Sequence, residues 1–111
     1  MVTILACVSM STQVFKNFPD GKAYSASEIT RENTTFIFSN LRSRRVTVKD
    51  GVGEETSEVV FRSRDSVTLI TRIITTKIYE IDLKNKRFHL VQSGVYPDGT
   101  HSVVLLEGKC N

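Results

Sequence analysis

The chain has no tryptophan, and among its 111 residues there are only two prolines, two cysteines and two methionines. Without tryptophan, and with aromatics at 8%, little is available for the sugar-stacking cleft of a glycosidase or the base-stacking platform of a single-strand nucleic-acid binder. Long apolar runs are also missing. No stretch approaches the ~18 apolar residues that cross a bilayer as a helix, so no membrane span is expected. No Lys or Arg precedes Lys16, which leaves the opening MVTILACVSM without the charged n-region of a complete signal peptide. The expectation is a soluble protein, cytoplasmic by default and exported if a further segment precedes this one. Phosphate-cradling glycine loops are absent as well: Gly51-Val52-Gly53 lacks the third glycine and the helix that should follow it.

Two cysteines are too few for a disulfide framework, but Cys7 and Cys110 lie near opposite chain ends. If the terminal strands are neighbours in a closed sheet, a bridge between them closes nearly the whole chain. In the chain-entropy model that closure contributes roughly 4 to 5 kcal/mol. The alternative is two reduced thiols, one on a buried strand and one near the chain end.

What the sequence does have is Val, Ile and Thr. Side chains branched at Cβ are stiff at χ1 and pack well on a pleated surface, so they favour strands. Residues 2 to 10 are nearly all apolar and read as a strand buried on both faces. Pro19-Asp20-Gly21 marks a turn. Ser25-Ala26-Ser27-Glu28 matches a capping box and predicts at most one or two helical turns. Strands follow at 34 to 38, 46 to 48 and 58 to 62. Residues 67 to 83 are too long for one ordinary strand and read as a bent strand or as two strands meeting at Thr75-Thr76. Residues 79 to 83 and 87 to 91 alternate on either side of Lys84-Asn85-Lys86 and predict a hairpin. The last strand is 102 to 107.

This cadence predicts a single all-β domain with at most one short helix. The architecture is a small antiparallel barrel or sandwich of about seven or eight strands, a lipocalin-like barrel included. The ending, from Tyr79-Glu80-Ile81-Asp82 to Gly108-Lys109-Cys110, resembles in outline small bacterial β-domains that finish on a Gly-x-Cys strand. The resemblance implies a β fold and assigns no residue a role.

Catalytic constellations are scarce, and neither catalytic residues nor a cofactor is assigned. His89 and His101 are the only histidines. A zinc site would need both of them with Cys110 and Asp98, and the hairpin that sets His89 in a strand leaves His101 at a loop, so no metal site is assigned. Glu80 and Asp82 project from one side of a strand about 7 Å apart, which reads as a solvated face. Asn33-Thr34-Thr35 fits the glycosylation triplet and carries no weight without export.

The strongest charge signal is LRSRRVTVKDGVGEETSEVVFRSR, residues 41 to 64, in a chain whose formal charge is only +3. A four-residue loop at Asp50-Gly51-Val52-Gly53 sets Lys49 opposite Glu54, Thr47 opposite Thr56 and Arg45 opposite Glu58. Such cross-strand pairs each contribute roughly 0.2 to 1 kcal/mol, and Val46 and Val48 then face a core. Arg42, Arg44, Arg62 and Arg64 remain at the far end of this hairpin. With Arg72 they form a basic patch. A nucleic-acid backbone would bind there in a salt-dependent way, but no aromatics interleave the arginines. The leading expectation is a binding module for a protein partner or a second copy of itself. A lipocalin-like carrier of a small apolar ligand, and weak nucleic-acid binding through the arginines, are the alternatives.

Overall fold

A computed structural model describes residues 4–17, 27–30, 34–73 and 75–111. Among the described residues there are nine strands: β1 (Leu5–Asn17), β2 (Ser27–Thr30), β3 (Thr35–Ser39), β4 (Arg45–Lys49), β5 (Glu54–Arg62), β6 (Ser66–Arg72), β7 (Thr76–Asp82), β8 (Arg87–Val95) and β9 (His101–Cys110). Successive strands from β3 to β9 pair as antiparallel neighbours, and β1 pairs with both β3 and β9. The result is a closed eight-stranded antiparallel barrel. Closure removes the exposed edges that an open sheet would present.

The long first strand makes the seam. Its first half pairs with β3, Cys7 opposite Phe36, while from Cys7 to Asn17 it runs against β9. Its second half also carries β2, with Gln13 opposite Glu28. Two sequence expectations are corrected here. β1 is buried on one face only, because in a barrel wall one side of each strand meets solvent: Cys7 and Ser9 point inward, whereas Val8 and Met10 are exposed. Ser27 and Glu28, expected to open a helix, lie in β2, where pairing with β1 supplies the backbone partners a capping box would have supplied. Ser25, Ala26 and the Pro19-Asp20-Gly21 turn fall outside the described residues, and among the described residues there is no helix.

Other expectations match the geometry. Arg45 faces Glu58, Thr47 faces Thr56 and Lys49 faces Glu54 across the β4–β5 hairpin, whose turn is held by Asp50 Oδ1 accepting from Val52 N and Gly53 N. The stretch 67 to 83 divides into β6 and β7, and the β7–β8 hairpin sets Asp82 opposite Arg87.

Alternation then fills the interior. Phe36 and Phe38 from β3, Tyr79 from β7 and Phe88 from β8 meet with ring centroids 5.2 to 6.4 Å apart, mostly edge to face. Val46, Leu69, Ile81 and Leu90 belong to the same buried cluster. Eight strands enclose a space just wide enough for the wall's own side chains, and here four rings occupy its middle. The sulfurs of Cys7 and Cys110 are bonded across the seam, closing a sequence separation of 103 residues.

Candidate functional site

The outer wall of β6 to β9 carries the most distinctive surface. Opposite residues of an antiparallel ladder share a face, so the registers define rows running across the strands. One row is Thr68, Glu80, His89 and Glu107, continued by Ser11 of β1. The next row, about 7 Å along the strands, is Ile70, Ile78, Val91 and Leu105. A carboxylate row thus lies beside an aliphatic row on a face that water reaches.

His89 is the centre of the first row. Its Nε2 is 3.0 Å from Glu80 Oε2, and Glu107 stands opposite it on the other flanking strand. A cleft of about 630 Å³ opens over these residues and over Ser66, Asp82 and Arg87, with Phe61 of β5 and Met10 of β1 also on its wall. Both of these apolar side chains are half exposed, at 56% and 50%. Each adjoins a register shift, between Val59 and Phe61 in β5 and between Ser9 and Ser11 in β1. An extra residue in one strand re-aims the side chains beside it; here two bulges put a phenylalanine and a methionine on the outer cleft.

The paired carboxylates read from the sequence separate in role. Glu80 meets His89, but Asp82 organises its own turn, its Oδ1 accepting from Lys84 N and Asn85 N and its Oδ2 from Asn85 Nδ2. The Asn85 backbone N–H foremost, then its side-chain amide, holds the Asp82 carboxyl below the usual aspartate value of 3.8. Asp82 is therefore a turn anchor.

The two histidines do not meet. His89 faces Glu80 and Glu107, whereas His101 opens β9 opposite Val95, six residues further along β8, or about 20 Å by strand rise. Cys110 is committed to its bond with Cys7. Among the described residues no group of three or more His, Cys, Asp or Glu side chains is placed to hold a metal ion.

The arginines divide three ways. Arg42, Arg44 and Arg64 are exposed in the turns at one end of the β4–β5–β6 wall. Arg62 shares that end, but its guanidinium donates to the carbonyls of Leu41 at 2.5 Å, Ser43 at 2.6 Å and Arg42 at 3.1 Å. It fastens the 41–44 turn to β5. Arg72 sits at the opposite end of β6, roughly 20 Å from Ser66, and does not join the others.

A second, smaller cleft of about 270 Å³ lies at the β6–β7 end of the barrel, lined by Glu55, Thr71, Ile73, Thr75, Lys77 and Gln92. Neither cleft was singled out in the sequence. Glu107 could be placed beside His89 only through the β8–β9 register, and Glu55 faces inward because it stands opposite the buried Val48.

The fold and these surfaces define a small closed β-barrel with a filled middle and clefts on its outer wall and at its β6–β7 end. The chain matches no protein-family model, and no curated protein or solved structure matches it.

Proposed function

We propose that this protein is a binding module that holds a polypeptide partner on the outer wall of β6 to β9. The observation that carries the reading is the pairing of two rows on one exposed face: Glu80 and Glu107 flanking His89, and beside them Ile70, Ile78, Val91 and Leu105. A solvated barrel wall ordinarily alternates to polar residues. Four aliphatic side chains side by side cover about 14 Å across the strands, since neighbouring strands are about 4.8 Å apart. Phe61 and Met10 extend the apolar contact, and interfaces favour such aromatic and methionine side chains.

The partner's chemistry follows from charge. Glu80, Asp82 and Glu107 face the cleft against Arg87, so an occupant carrying lysine or arginine next to aliphatic residues complements both rows. The aromatic filling of the interior supports the outer wall over an apolar carrier's cavity as the working surface.

The test is a titration of isotopically labelled protein with a short peptide alternating lysine and leucine, against its glutamate–leucine counterpart. The lysine peptide is expected to give saturable amide shifts confined to β6 to β9, weakened at least tenfold in a Glu80→Gln/Glu107→Gln variant and by added salt. Equal response to the glutamate peptide, or shifts centred on Arg42 and Arg44, would overturn the reading.

A further inference from the structure

The interior is apolar through its middle but not at the β6–β7 end. There Lys77 Nζ reaches both carboxylate oxygens of Glu55, at 3.0 and 3.1 Å, across the intervening strand β6. Their side chains are only 16% and 31% exposed. On β5 and β6 behind them, the Ser57 and Thr71 hydroxyls are bonded to each other and buried. Gln92 Nε2 donates to Thr75 Oγ1 at 3.2 Å. The register sets Thr71, Lys77 and Gln92 in one inward-facing row.

As a way of closing a barrel this is expensive. Desolvating an ion pair costs about as much as its attraction returns, and apolar side chains of similar volume usually serve stability as well or better. The same groups are well suited to recognition. They line a cleft of about 270 Å³, and barrel mouths are a recurrent place for small-molecule sites with a few converging polar groups. At roughly 30 Å³ per water molecule, that space holds about nine waters, room for a small amino acid with water beside it.

We infer that this mouth is a binding site for a small zwitterion, one molecule carrying an ammonium and a carboxylate a few bonds apart. The geometry selects this class over a simple anion or cation. Lys77 and Glu55 neutralise each other, so an anion that drew Lys77 away would leave the Glu55 charge uncompensated in a part-buried site, and a cation would strand Lys77. A zwitterion placed between them keeps both satisfied: its carboxylate accepts from the Lys77 ammonium and the Gln92 amide, and its ammonium donates to Glu55. The Thr75 hydroxyl, which accepts from Gln92, has its own proton to donate to the carboxylate. Ile73, 72% exposed at the rim, meets a short aliphatic side chain.

The test uses three probes of one shape: L-valine, isovalerate, which lacks the ammonium, and isobutylamine, which lacks the carboxylate. Each is titrated into labelled protein at neutral pH while the Gln92 side-chain amide and the Thr71 and Lys77 backbone amides are followed. Valine is expected to shift these resonances saturably, with the two single-charge probes at least tenfold weaker. A Glu55→Gln/Lys77→Gln variant, checked for retained β-structure by circular dichroism, is expected to lose the valine response. No saturable shift with valine, equal binding of a single-charge probe, or an undiminished response in the folded variant overturns the inference. The probe comparison on the unaltered protein stands even if the variant fails to fold. Because this site is read with valine at the inward-facing Gln92 side chain and the polypeptide site with a lysine–leucine peptide, failure here is distinguishable from failure of the polypeptide site.

Discussion

Gly108 shows how one missing side chain shapes the barrel. It lies inward on β9, opposite Phe88 on one flank and Ser9 on the other. A Cβ at this position would come within 2.3 Å of both the Phe88 ring and the Val8 carbonyl oxygen, so the ring packs where any larger residue would stand. Gly108→Ala is expected to destabilise by about 1 to 3 kcal/mol through overpacking, read as a lower urea midpoint at unchanged slope. Gly53, with nothing within 4 Å of an added Cβ, serves as the control: Gly53→Ala should change stability by less than about 0.5 kcal/mol. Equal effects at the two positions would show that the close approach at Gly108 does not matter. Tyr79 is the complementary case of a residue that fills space. Burial foremost, and then the charges of Glu55 and Asp50, push its phenol above the ordinary tyrosine range of about 10, so it stays neutral at any physiological pH.

The β4–β5 hairpin was legible as an element. A two-residue period fixes which side chains face each other once the turn is located, and Asp50-Gly51-Val52-Gly53 located it. The same register also implied that Glu55 faces inward, since it stands opposite Val48; what the local pattern could not supply was Lys77, two strands away. Arg62 was legible as a cation at the hairpin's open end, but its role was not. Its partners are three backbone carbonyls of another turn, and backbone acceptors leave no mark on composition. Arg62→Ala is therefore expected to loosen that turn. Hydrogen bonds from a charged donor are worth roughly 1.5 to 3 kcal/mol, so amide exchange at Ser43 and Val59, which bond to Asn40 O and Arg44 O, should quicken by about tenfold or more. Unchanged exchange at both amides would return Arg62 to the exposed basic group with Arg42, Arg44 and Arg64.

At the scale of the molecule, the seam between first and last strands decides closure. β1 and β9 pair along ten residue positions, and the Cys7–Cys110 bond sits at one end of that ladder. Joining residues 103 apart in sequence restricts the unfolded chain strongly; the chain-entropy model gives about 4 to 5 kcal/mol. A Cys7→Ala/Cys110→Ala variant should retain β-structure and lose stability of that order in urea. A loss below about 1 kcal/mol would show that strand pairing alone holds the seam.

Composition and alternation by themselves determined an all-β chain of about this strand count, the two hairpins, and the register that sets Arg45 opposite Glu58 and Lys49 opposite Glu54. These depend on neighbours within some twenty residues, where period and turn chemistry suffice. They failed at β1 and β2, because whether an apolar run is covered on one side or two, and whether a short polar segment coils or pairs, depends on what lies beside it. Only the tertiary structure closed β1 onto β9, aligned the four aliphatic residues of four successive strands into one row, and brought Lys77 onto Glu55 across β6. Each of those juxtapositions depends on the registers of several strands at once around a closed wall, which the pattern of one hairpin does not encode.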